Sequence, residues 1–170
     1  ILNNTFLGGG DDALDLEGDA HIEGNVFMRY HKDQWNTGAG NANMISAGDA
    51  HGVGHDYVMV RNVFYDLDHV AQVKQNSFMT FVDNTVVDTS ISALYFLRPR
   101  ADPDNPDNWG RGAYLDGNIF YNASDPPVLF GDVQPTTELT VNRSVFWPPT
   151  DLPPGEDNLL EDPRLADPAG

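Results

Sequence analysis

The stretch YVMVRNVFYD, residues 57–66, holds the unit that decides the fold. It is rich in β-branched and aromatic residues, and its Asn62 is followed two places on by Phe64. The same Asn-x-Phe or Asn-x-apolar unit occurs at Asn4-Thr5-Phe6, Asn25-Val26-Phe27, Asn84-Thr85-Val86 and Asn118-Ile119-Phe120. A degenerate copy runs from Asn142 to Phe146. Successive copies are separated by 21, 37, 22, 34 and 24 residues. Three of these lie within two residues of 22, and the other two are lengthened by polar, turn-rich segments. One is HKDQWNTGAGNAN (31–43); the other is RPRADPDNPDNWGRG (98–112). Such Gly-, Pro-, Asp- and Asn-rich runs read as loops.

A period in the low twenties built from short β-prone runs is the signature of stacked repeats. Runs such as ALDLEG, VAQVKQ and ALYFLR alternate apolar and polar residues, so each strand has one inward and one outward face. If successive passes stack at the strand spacing of about 4.8 Å, each Asn meets an Asn above and below. Their amides then form a hydrogen-bonded ladder, and the Phe two places on stacks in the core. The Asn-x-Phe unit therefore has a structural cause before any function is invoked. Aligning passes on the Asn lays Leu14 and Leu16 inward over Ala71 and Val73. Asp15 and Glu17 then share an outward face with Gln72 and Lys74, with Asn43 and Ser46 as polar members of the pass between.

The expected architecture is all-β: a parallel β-helix of about six coils over residues 1–150, with insertions near 31–43 and 98–112. Residues 151–170, rich in Pro and Asp, read as an extended segment packed on the last coil or leading onward. The chain opens in mid-pattern with no cap at residue 1, so it reads as a fragment of a longer protein with other domains.

Composition agrees. The 170 residues include 21 Asp and 15 Asn but only two lysines, Lys32 and Lys74. Asp, Asn, Gly and Pro favour corners over long helices. A formal net charge of −17 leaves no basic patch for phosphate backbones, which argues against nucleic-acid partners. No 18-residue apolar run is present, so no membrane span is expected. With no cysteine, disulfides and thiolate metal sites are excluded.

The Asn-x-Phe ladder and the closing EDPRLADPAG resemble right-handed parallel β-helix repeat proteins of the pectate-lyase-like superfamily. DDALDLEGDAHIEGNVF is similar to β-helical segments of large secreted bacterial multidomain proteins. The resemblance implies a right-handed coil, an extracellular bacterial location and a polysaccharide partner.

Three groups of residues are candidates for chemistry. The first is GGGDDALDLEG (8–18), where Asp11, Asp12 and Asp15 crowd a corner after three glycines. A hard dication such as Ca²⁺ takes six to eight oxygens, and Glu17, on the same outward face as Asp15, joins the candidate ligands. Asp-Asp-x-x-Asp resembles the calcium motif of a pectate lyase family. That resemblance makes Lys74 the candidate base for β-elimination on an acidic polysaccharide. The second is GDAHGVGHDY (48–57), with His51, His55 and Asp56. Two glycines argue against the helix that His-x-x-x-His needs to bind zinc. The order Asp11-Asp12, His51, Lys74 resembles polygalacturonase-type glycoside hydrolases, in which His51 would assist an aspartate pair. The third is the aromatic and arginine set around the second insertion, Tyr95, Arg98, Arg100, Trp109, Arg111 and Tyr114. Trp and Tyr stack on sugar rings, and Arg pairs with carboxylates. A non-catalytic scaffold, adhesion or carbohydrate-binding module is the alternative from a different class.

Overall fold

Each Asn-bearing pass of the chain lays its strands parallel beside those of the pass before, with a register shift between Leu67 and His69. The computed structural model describes residues 1–32, 42–48, 52–96, 109–152 and 154–166. His51, Arg98, Arg100 and most of both expected insertions lie outside the described residues. Fourteen strands are found among those described.

One sheet has the order β3 (Ala20–Glu23), β6 (Asp56–Val60), β8 (Phe78–Val82), β10 (Gly112–Asp116), β13 (Glu138–Asn142). The other runs β1 (Thr5–Gly9), β4 (Val26–Tyr30), β7 (Val63–Val73), β9 (Thr85–Phe96), β11 (Ile119–Tyr121), β14 (Val145–Trp147). The long strands β7 and β9 continue past this row and also carry β2 (Leu14–Leu16), β5 (Asn43–Ala47) and β12 (Phe130–Gly131). Neither sheet closes on itself, so the molecule is not a barrel. All-β parallel strands in stacked sheets are compatible with a β-helix.

The Asn residues form the expected ladder. Asn25 Oδ1 accepts from the backbone N–H (2.9 Å) and the Nδ2 (3.1 Å) of Asn4. Asn62, Asn84 and Asn118 repeat the backbone contact on the pass before them at 2.8–2.9 Å. The next rung is Ser144, not Asn142: the Asn118 N–H donates to Ser144 Oγ at 3.0 Å. Asn158 follows, its Oδ1 accepting from the Ser144 N–H at 3.0 Å. The tail thus continues the stack, with Leu159 paired parallel to Val145.

Corner geometry marks these rungs independently. Every ladder residue is preceded by one in the left-handed region: Asn3, Gly24, Arg61, Asp83, Gly117, Arg143 and Asp157. Gly24 (φ 67°) has a second reason, since a Cβ there would lie 2.5 Å from Asn3 Oδ1. A second left-handed corner falls four places after the rung, at Gly8, Arg29, Asp66 and Asp88.

The aromatic stack follows the ladder. Phe6, Phe27 and Phe64 lie 4.7 and 5.0 Å apart, nearly coplanar in orientation. Val86 interrupts the series, and Phe81 from the opposite sheet fills the gap between Phe64 (5.7 Å) and Phe120 (6.1 Å). Phe120 and Phe146 resume it at 5.2 Å. The core between the sheets is completed by Ile22, Tyr57, Met59, Ile45 and Leu115, all buried. No helix among the described residues is long and apolar enough to cross a membrane.

Candidate functional site

The row containing GGGDDALDLEG takes the expected register. Leu14, Ile45, Ala71 and Leu94 stack in one line, and Leu16, Ala47, Val73 and Phe96 in another. Between them runs Asp15, Ser46, Gln72, Tyr95. Glu17, Asp15 and Asp11 are exposed, whereas Asp12 turns partly inward.

Asp12 and Lys74 meet through Ser46. Lys74 Nζ donates to Ser46 Oγ at 2.9 Å, and the Ser46 side chain hydrogen-bonds Asp12. Asn43 Nδ2 donates to Asp12 Oδ1 at 2.8 Å. Burial raises the Asp12 pKa, opposed by the bonds from Asn43 and Ser46 and reinforced by the charges of Asp11 and Asp15. Gly48 lets the lysine pass, because a Cβ there would meet Lys74 Cγ at 2.7 Å. Among the described residues no three His, Cys, Asp or Glu side chains gather in a group that could hold a metal ion. Of Asp11, Asp12, Asp15 and Glu17, Asp12 is the one held by Asn43 and Ser46.

Just beyond Lys74 the chain meets Trp109. The two are joined by an antiparallel bridge, and the Trp109 carbonyl accepts from the Asn76 N–H at 2.6 Å. Gly110 permits this approach, since a Cβ would lie 2.5 Å from the Val73 carbonyl oxygen. An open depression of about 590 Å³ results, lined by Trp109, Asn76, Arg111, Gln134 and Thr136 among others. Arg111 is held on two sides: its Nη2 donates to Asp56 Oδ1 at 2.8 Å, and its guanidinium lies 4.9 Å from the Phe78 ring centre.

Tyr95 is placed elsewhere. Its ring packs on Gly131, and its hydroxyl donates to Asp132 at 2.9 Å. Burial, with Asp132 adding to it, raises the Tyr95 pKa. Tyr114 donates to Asp116 at 2.9 Å, which Arg143 also contacts. His55 lies 3.3 Å from Asp19, whose Oδ1 also accepts from the Asp56 N–H.

Two polar clusters escaped the sequence reading. His31 bridges two carboxylates, with Nδ1 2.9 Å from Asp68 and Nε2 2.9 Å from Asp66. Ser90 donates to the same Asp68 at 2.7 Å, and the Lys32 N–H donates to it at 2.9 Å. Burial disfavours the His31 cation, but Asp68 and Asp66 outweigh it and raise the pKa. Burial also works against the Asp68 anion, but the bonds from Lys32, Ser90 and His31 prevail and lower its pKa. The signal was available: His31, Asp68 and Ser90 each lie six places after a ladder Asn. The second cluster is His69, fully buried, whose Nδ1 lies 2.8 Å from Ser92 Oγ. Burial holds its pKa down.

No protein-family model, curated protein or solved structure matches the chain.

Proposed function

We propose that the chain is a segment of an extracellular right-handed parallel β-helix, of about six coils, that binds polysaccharide along its flank. The observation that carries this reading is the open depression at Trp109, whose lining also includes Asn76, Gln134 and Thr136 and which lies beside the Lys74–Trp109 bridge. Polysaccharide recognition draws on these groups: a ring to lie under a pyranose, and uncharged donors and acceptors for its hydroxyls. The pectate-lyase-like resemblance points to the same substrate class. The test is electrophoresis through native gels containing soluble polysaccharides, acidic and neutral in separate lanes. The chain should be retarded by at least one of them, and Trp109→Ala should run freely in that gel. No retardation by any polysaccharide would instead favour a spacer or adhesion role.

A second reading, β-elimination on a uronate polymer, draws on the Asp12–Ser46–Lys74 chain. This chain joins the candidate lysine to one of the candidate calcium ligands. It requires that added Ca²⁺ raise the melting temperature, that Asp12→Asn abolish the rise, and that polygalacturonate yield unsaturated products absorbing in the near ultraviolet. Reducing ends without that absorbance would favour the hydrolase alternative.

A further inference from the structure

The charge balance around Trp109 narrows the ligand further than the resemblance does. Among the described residues, Arg111 is the one cationic side chain lining the depression, and it is already neutralised by Asp56 and seated on Phe78. The remaining polar residues of the lining are uncharged: Asn76, Thr136 and Gln134, whose Nε2 donates to the Asp132 carbonyl at 3.3 Å. Amides and hydroxyls both donate and accept, as sugar hydroxyls do. A carboxylate accepts more strongly from their donors but leaves their acceptors unused, and it loses more hydration on entry. Strand register also brings a second carboxylate to this side of the sheet: Asp56, Phe78, Gly112 and Glu138 are aligned across β6, β8, β10 and β13.

The long-range field acts in the same direction. A chain of net charge −17 repels a polyanion, and salt screens that repulsion only beyond about 10 Å at 0.1 M. The volume of about 590 Å³ is within the range of small-ligand sites. Gly110, within its lining, sits tight on backbone, because a Cβ there would strike the Val73 carbonyl oxygen.

We infer that the depression beside Trp109 is a subsite for a neutral sugar unit, not a uronate, with Trp109 as the stacking platform and Asn76, Gln134 and Thr136 as hydroxyl partners. This rests on the polysaccharide-binding reading and specifies its substrate class. Arg111 serves here as a positioning residue, tying β10 to β6 and walling the depression.

Isothermal titration of the whole chain with cellohexaose, mannohexaose, xylohexaose and hexagalacturonate, at 20 and 300 mM NaCl, tests it. At least one neutral hexaose should bind, with Kd changing less than twofold between the two salts. Trp109→Ala should weaken that binding more than tenfold, and Trp109→Phe, which keeps a ring, should retain most of it and serves if the alanine variant does not fold. Preferred binding of hexagalacturonate, weakened by salt and by Arg111→Gln, would overturn the neutral subsite while leaving polysaccharide binding in place. Neutral-sugar binding that both Trp109 variants leave unchanged would overturn the location alone. Failure of every hexaose, together with no retardation by polysaccharide gels, would overturn both.

Discussion

Removing one rung of the Asn ladder provides a direct measure of what holds the stacked passes together. Asn84 is buried; its Oδ1 accepts from the Asn62 backbone N–H (2.9 Å) and Nδ2 (3.0 Å). Its own Nδ2 donates to the carbonyls of Met59 and Val82, both at 2.9 Å. Asn84→Ala leaves two buried backbone groups, the Asn62 N–H and the Met59 C=O, without these partners. At about 1–3 kcal/mol for each orphaned group, the loss is about 2–6 kcal/mol. For a chain of this size that lowers the melting midpoint by about 4 °C or more. Ser144 supplies the internal control. At the equivalent rung its Oγ accepts from the Asn118 N–H at 3.0 Å and donates to the Asn142 carbonyl at 2.8 Å. Asn84→Ser should therefore keep the Asn62 contact and the Val82 contact, orphan only Met59, and cost about half as much as alanine. Urea unfolding followed by circular dichroism measures both variants. Equal losses for serine and alanine, or an alanine loss below about 1 kcal/mol, would refute the ladder as a source of stability.

The remaining predictions concern packing, charge and backbone fit. Phe64→Ala, in the middle of the aromatic stack, should cost about 3–5 kcal/mol in urea unfolding, whereas Phe6→Ala at its half-exposed end should cost clearly less. His31 has its pKa raised in the folded state by Asp68 and Asp66, so its contribution to stability is complete below the ordinary histidine value near 6.5 and is lost as pH rises through the folded value. His31→Gln should therefore be most destabilising under mildly acidic conditions and approach the parent as pH increases; a constant difference across pH would contradict the double carboxylate contact. His69, with its pKa lowered by burial, should titrate in NMR spectra below 6.5 while His31 titrates above it. Gly112→Ala should lower stability by about 1–3 kcal/mol, because a Cβ at that position runs into the Glu138 backbone of the neighbouring strand; a neutral effect would show that β10 and β13 can separate without cost.

The aligned rows show how far the linear pattern reaches. Leu14 over Ala71 and Leu16 over Val73 follow from apolar alternation, because spacing alone is one residue off: Leu14 lies ten places after Asn4 and Ala71 nine after Asn62, and the register shifts between Leu67 and His69. The same alignment extended to six places after each Asn would have exposed His31, Asp68 and Ser90 as one row. Ser144 was harder to see. Spacing draws the eye to Asn142, but a hydroxyl can occupy the rung, and Asn142 Oδ1 instead accepts from the Glu156 N–H at 2.9 Å. The four acidic residues at 11–17 are legible as a charged strand, but composition does not say where each carboxylate points. The structure turns Asp12 inward to Asn43 and Ser46 and leaves Asp11 and Asp15 exposed.

The sequence by itself determined the parallel, stacked all-β arrangement. A short unit of Asn, apolar residue and Phe, repeated at a nearly constant interval, satisfies its hydrogen bonds and buries its rings best against copies of itself. Tertiary structure alone decided which polar groups meet. Lys74 reaches Asp12 only because Ser46, on a different pass, stands between them, and Trp109 reaches Lys74 through an antiparallel return that no local period encodes. Hydrophobic periodicity is written residue by residue along each strand, whereas these meetings depend on where an irregular corner sends the chain, and that is settled only when neighbouring passes pack.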